Sequence, residues 1–286
     1  MGLFNKEKKE VEPQYYLSAT NIPTLNYSVY IMSPLEKVLT FLFAFVVGAL
    51  VGYLFYGGIG KDEFGQATRL TIILNILIPT IVGTIAGCLF VPMRTKSIIE
   101  KRRKDLKNQF RDMLEALTTS LGAGKNVSDS FVSVYEDLKV QYDSDAYILK
   151  ELEVVISGLQ NNIAIEDVLE DFGMRSHIDD IKSFANVFKI SYRKGGNIKD
   201  VIRNTHSILS DKMEIAEDIE TVVTSNKTEQ SIMIVMPIAL IGVIKLMSPE
   251  FAANFVTPSG IISTTISIVV FVIAYFIGKA VLDIKI

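Results

Sequence analysis

Four apolar stretches, each long enough to cross a bilayer, stand in two pairs on either side of a long polar block, and few folds accommodate that layout. A membrane helix needs roughly 20 mostly apolar residues, with about 17 as the lower bound. Val38 to Tyr56 meets this without a charge, and Leu70 to Val91 carries only Asn75 and a few Thr among its apolar residues. Ser231 to Met247 and Ile261 to Leu282 form the second pair. The third stretch is the weakest, being short and containing Pro237 and Lys245. That lysine lies near one end, where its stem is expected to reach the headgroups.

Composition agrees with segments that face lipid beside a block that faces water. Hydrophobic residues make up 49% of the chain, while the charged 21% is concentrated between the pairs. The net charge of -3 gives no global basic balance, so no nucleic-acid partner is expected. The local distribution carries more. Directly after the second stretch come Arg94, Lys96, Lys101, Arg102, Arg103, Lys104, Lys107 and Arg111, opposed only by Glu100, Asp105 and Asp112. The connection from Gly57 to Arg69 holds only Lys61 and Arg69 as basic residues, and that from Ser248 to Gly260 holds none. Cytoplasmic flanks collect Lys and Arg, so the central block and both termini are expected in the cytoplasm of a multi-pass protein of the cell membrane. A solvated helix face beside lipid headgroups accounts for the basic run under the same rule.

The expected domains are therefore a flexible cytoplasmic tail over residues 1–37, a transmembrane pair over 38–91, a cytoplasmic helical domain over 92–230, and a second transmembrane pair over 231–286. The opening residues have Lys6, Lys8, Lys9, Pro13, Tyr15, Tyr16 and Pro23 without an apolar run after the lysines, unlike a secretory signal peptide. Cys88, the single cysteine, lies in the second stretch, which excludes an intrachain disulfide and a thiolate metal cluster. His177 and His206 stand in no motif that would orient them as ligands or bases.

Through the central block the apolar residues recur at three-and-four spacing, the signature of a helix with one buried face. Leu106, Phe110, Met113, Leu114, Leu117 and Leu121 mark the first helix, and Phe131, Val134, Tyr135 and Leu138 the second. Ile148, Leu152, Val155, Ile156 and Leu159 mark a third, and Ile165, Val168, Leu169 and Phe172 a short fourth. Ile178, Ile181, Phe184, Ala185, Phe188 and Tyr192 mark a fifth. A sixth begins near Ile198 and leads into the third membrane stretch. No strand pattern competes.

The connections repeat. Gly124-Lys125-Asn126 followed by Asp129 corresponds to Gly195-Gly196-Asn197 followed by Asp200, with Asn162-Ile163-Ala164 followed by Asp167 as a weaker copy. In each, Gly or Asn stands where a helix ends in the left-handed conformation, which those residues enter most cheaply. Asn126 and Asn197 are placed to cap the next helix, and the aspartates face its positive end. Three helical hairpins packed as a six-helix bundle, within an all-α membrane protein, are the simplest expectation.

Site chemistry is sparse. Gly124-Lys125 resembles the end of a phosphate-binding loop, but Thr119 and Ser120 supply no earlier glycine, Asn126 replaces the required Ser or Thr, and a helix rather than a strand precedes it. No zinc helix, nucleophile elbow or carboxylate cluster inside a span is present, so no catalytic, cofactor or metal site is expected. The pairs Glu166-Asp167, Glu170-Asp171 and Asp179-Asp180 suit a solvated face better than a divalent cation. Within the spans, Gly48 with Gly52 and Gly83 with Gly87 place small residues on one face, for packing within the chain or between copies.

From about Phe110 to Pro237 the chain resembles the type II secretion system F domain, in the single-copy form of tight-adherence (Tad, or Flp) pilus assembly proteins. The resemblance rests on Phe110-Arg111-Asp112-Met113-Leu114, the turn from Gly122 to Asn126, Glu151-Leu152, Leu169 to Arg175 with Asp179 and Asp180, and Gly195-Gly196-Asn197 before a long helix with Lys212. Asn162 and Ala164 depart from the usual Gly and small polar residue, and Lys212 from the usual Arg. The resemblance implies a non-enzymatic inner-membrane platform that contacts a cytoplasmic hexameric secretion ATPase, handles a pilin or pseudopilin, and joins a second platform protein or further copies of itself. The hairpin tips with Lys125, Arg193 and Lys194 are the expected ATPase-facing surface. A small transporter or exporter subunit is the chief alternative, with Asn75 and Lys245 as the candidates to line its path.

Overall fold

The computed structural model describes residues 13–60 and 66–282. Among these residues two short strands, β1 (Tyr15–Leu17) and β2 (Pro23–Leu25), precede nine helices: α1 (Pro34–Tyr56), α2 (Arg69–Gly122), α3 (Val127–Gln141), α4 (Tyr147–Gln160), α5 (Ile165–Ser176), α6 (Asp179–Arg193), α7 (Ile198–Met247), α8 (Pro249–Asn254) and α9 (Pro258–Leu282). Among the described residues, α1, α2, α7 and Pro258–Gly278 of α9 hold stretches long and apolar enough to cross a membrane. The chain is a multi-pass, all-α membrane protein. No break separates the second span from the basic run, because α2 continues for 54 residues through Pro79 and Pro92, and α7 likewise runs 50 residues through Pro237.

The chain divides into two compact units. Residues up to Ile31 join Thr95–Met213 in a polar unit, and Met32–Arg94 joins the segment from Glu214 onward in a membrane unit. These boundaries differ from the expected ones at both ends of the central block, because residues 214–222 are almost wholly exposed helix and the N-terminal segment packs with the block.

In the polar unit, Leu106, Phe110, Met113, Leu114 and Leu117 from α2 meet Phe131, Val134 and Leu138 from α3, Ile148 and Leu152 from α4, Phe172 from α5, Phe184 and Phe188 from α6, and Ile202 and Leu209 from α7 in one buried cluster. Each such side chain stabilises the fold by roughly 1.5–3 kcal/mol. The Phe110 ring stands edge-on to Phe172 and Phe184, with centroids 6.1 and 5.4 Å away.

Residues 13–31 correct the expectation of a loose tail. β1 and β2 pair antiparallel, with Asn21 in the left-handed region inside their turn. Tyr27, just beyond β2, is 1% exposed and belongs to the core of the block. Strands of three residues leave no periodic pattern to read, and a lone Tyr among polar residues gives no sign of burial.

The membrane unit inverts the usual role of size. A Cβ at Gly48 would lie 2.7 Å from Ala86 Cβ, and one at Gly83 would lie 2.7 Å from the Phe45 carbonyl oxygen. Gly52 faces Val82, and Gly87 faces the Phe41 ring. All four glycines therefore join α1 to α2 within one chain. Lys245 has partners within the chain: its ammonium donates to the Leu54 and Phe55 carbonyls at 2.7 and 3.3 Å and lies 4.4 Å from the centre of the Phe255 ring. Carbonyls in the last turn of α1 lack helical partners, so a cation on a neighbouring helix closes them.

Candidate functional site

Three interhelical turns share one backbone solution. Gly124 and Gly195 take φ of +87° and +70°, and Asn162 takes +56°. The next amide in each turn reaches back five residues, from Lys125 to Ser120, Ile163 to Gly158 and Gly196 to Ser191. This is the helix ending in which a left-handed residue lets orphan carbonyls be satisfied. Asn126 Oδ1 then accepts from the Asp129 amide at 2.8 Å, and Asn197 Oδ1 from the Asp200 amide at 3.3 Å. Ala164 supplies no side-chain cap. Gly196 stays outside the left-handed region.

Contacts draw the three turns to one end of the polar unit. Arg193, at the end of α6, reaches Glu166 and Asp167 in the first turn of α5, each at 3.2 Å. Lys199, in the first turn of α7, has its ammonium 4.0 Å from where a Cβ on Gly122 would stand. Of the expected contact residues, Lys125 is exposed and donates to Ser133 Oγ at 2.7 Å, and Lys194 is an exposed helix cap. Arg193 is exposed but already held by two carboxylates. Lys199 joins this end, and its register gave the signal: in the repeated turn it matches Ser128 on the rim of the next helix.

Below this end lies a buried ionic knot. Arg175 donates to both oxygens of Glu151, at 2.9 and 2.8 Å, and through Nε to Asp171 at 2.8 Å. The Tyr27 hydroxyl donates to Glu151 Oε1 at 2.8 Å, and its amide donates to the Arg175 carbonyl. Burial opposes the charge on Arg175, but hydrogen bonds and attraction from Glu151, then Asp171, outweigh it and hold the guanidinium above its ordinary value. Burial first, and the Glu151 charge second, push the Tyr27 phenol well up. The knot ties α4, α5 and the N-terminal hairpin together, one guanidinium set against two carboxylates.

A second junction joins α2, α6 and α7. Asp180 accepts from Lys212 at 2.6 Å and pairs with Lys107 at 3.0 Å. Burial would raise its carboxyl, yet the hydrogen bonds from Lys212 and Lys107 prevail and hold it below the usual carboxylate range. Lys189 pairs with Asp167 and Glu170. The acidic residues weighed as cation ligands are thus answered by Lys and Arg, and among the described residues no three His, Cys, Asp or Glu converge as a metal site. Asp179 is exposed.

No family model, no curated protein and no solved structure matches this chain.

Proposed function

We propose that the chain is an inner-membrane platform of a type IV or Tad-like pilus or type II secretion machine, coupling a cytoplasmic hexameric ATPase to extraction and assembly of pilin. The central block is then a cytoplasmic bundle of three helical hairpins, with both termini on the same side. The observation that carries this reading is continuity: α2 and α7 each pass as one helix from an apolar span into the polar unit. A helix rises 1.5 Å per residue, so α2 and α7 give a displacement of their polar parts a direct path to the spans, with Pro79, Pro92 and Pro237 as the points where the helices can bend.

The membrane unit favours this over a transporter subunit. Asn75 Oδ1 accepts from the Gly58 amide at 2.8 Å, and Lys245 closes the end of α1, so both polar candidates serve backbone groups. A cavity of about 620 Å³ in this unit is walled mainly by apolar residues such as Gly52, Phe55, Ile238 and Phe271, with Tyr56, Ser267 and Tyr275 as its few hydroxyls, so it offers a charged solute little exchange for its water.

The ATPase is proposed to dock at the end bearing Lys125, Arg193 and Lys194, extended by Lys199. Affinity purification of the full chain from its native membranes tests the reading. Recovery of a hexameric ATPase that the quadruple charge reversal at these positions releases is the expected result. Recovery without such an ATPase, or solute flux from the reconstituted chain, would remove the proposal.

A further inference from the structure

Arg102 is a buried cation that no carboxylate among the described residues neutralises. It is 8% exposed, donates through Nη1 to the Val29 carbonyl at 3.3 Å, and lies 5.1 Å from the centre of the Tyr30 ring. No carboxylate pairs with it among the described residues, and its Nε lacks a hydrogen-bond partner. Arg175, equally buried, shows what this fold ordinarily supplies: two carboxylates. A desolvated charge without a counter-charge is costly.

Arg102 also lines a cleft of about 730 Å³ in the polar unit, within the range of about 300–1,000 Å³ that holds small organic ligands. One wall is the hairpin with Tyr15 and Leu25, and the other is the start of α4 with Tyr147 and Lys150. Gln109 also faces the cleft, and its Oε1 is occupied by the Ile148 amide, so its amide nitrogen remains as a donor. The acids on the wall are otherwise disposed. Glu151 is matched by Arg175, Glu153 accepts from Tyr135, and Asp143 and Asp145 are exposed to water.

We propose that this cleft binds a small organic anion, its carboxylate or phosphate group set against Arg102, Gln109 and Lys150, and its planar or apolar body against the tyrosines. The bound anion supplies the counter-charge that the chain withholds from Arg102. Because the hairpin forms one wall, binding also fastens residues 13–31 to α4. The proposal does not rest on the platform reading.

Titration calorimetry of the full chain in detergent micelles, at constant ionic strength, tests it with three probes: phenyl phosphate, benzoate and uncharged phenol. Saturable binding of one or both anions, at least tenfold tighter than phenol, is expected, and the stronger of the two identifies the headgroup chemistry. Arg102→Gln should weaken that binding at least tenfold. If this variant does not fold, Lys150→Gln and the surface change Tyr15→Ala decide, each expected to weaken binding threefold or more. No anion binding by the native chain, equal binding of phenol, unchanged affinity in Arg102→Gln, or unchanged affinity in both of the other variants would overturn the proposal.

Discussion

In the polar unit Phe110, Phe131, Phe184 and Phe188 lie inside and most charges outside, Glu151, Arg175 and Arg102 being buried; in the membrane unit Phe43, Ile76, Val235 and Phe276 face outward while Gly48 and Gly52 are buried. Glycine changes meaning between the two. Gly124 and Gly195 have nothing within 4 Å of an added Cβ and are needed for their backbone angle, whereas Gly83 and Gly87 are ordinary helix residues needed for their missing side chain. Buried polar groups differ as well. The polar unit sets Arg175 against Glu151 and Asp171 and leaves Arg102 without a carboxylate among the described residues, and the membrane unit satisfies Asn75 and Lys245 with backbone groups. Where water surrounds a unit, apolar area drives assembly; where lipid does, close backbone approach and polar satisfaction replace it.

The sharpest way to break this contrast is at the knot. Glu151→Ala leaves Arg175 buried and facing only Asp171, and should destabilise the polar unit by about 3–5 kcal/mol in chemical unfolding of the full chain. Tyr27→Phe removes one hydrogen bond to the Glu151 carboxylate and should cost less, about 1.5–3 kcal/mol. In the membrane unit, Gly83→Ala drives a methyl into the Phe45 carbonyl and should cost about 1–3 kcal/mol, read as lost cross-linking between cysteines placed on α1 and α2. Lys245→Met opens the end of α1 and should cost about 1–2 kcal/mol by the same assay. Gly124→Ala has room but the wrong backbone angle, so about 1–2 kcal/mol is expected in the unfolding of the polar unit.

The smallest effect is a pH dependence at Asp180. Its folded carboxyl is held low by Lys212 and Lys107 against burial, while the unfolded value is about 3.9. Between those values the unfolded chain binds more protons, so stability rises with pH. The contribution is complete above about pH 4 and is lost as pH falls through the folded value. Asp180→Asn should flatten that acid limb in unfolding curves and leave the Glu151 to Arg175 pair in place. An unchanged limb would show that Lys107 and Lys212 do not hold the carboxylate.

Much of this was legible in the sequence, for physical reasons that also mark where legibility ended. Long apolar runs have few meanings, so four candidate spans could be read, and each falls within a long apolar helix. Three-and-four spacing likewise picked out Phe110, Leu117, Ile148 and Phe184, all within 2% of complete burial. The N-terminal hairpin was hidden because its strands are three residues long and its anchor is one Tyr. Glu151 stands on the apolar stripe of α4, between Ile148 and Val155, a sign that a buried carboxylate needs a partner, but periodicity cannot name that partner as Arg175. The partners of Lys245 were hidden because a sequence does not show that the end of α1 lies beside it. The turn end could be read for its backbone but not for its charge: Arg193 is held by Glu166 and Asp167 from a different hairpin, and Lys199 arrives from α7.

The side of the membrane on which the polar unit lies decides whether any cytoplasmic motor can reach it. With Cys88 replaced by Ala, single cysteines at Lys125 and at Ala252 should be treated with a membrane-impermeant maleimide in intact cells. The account predicts labelling at 252 at once and at 125 only after the membrane is opened. Labelling at 125 in intact cells, with 252 protected, would contradict it.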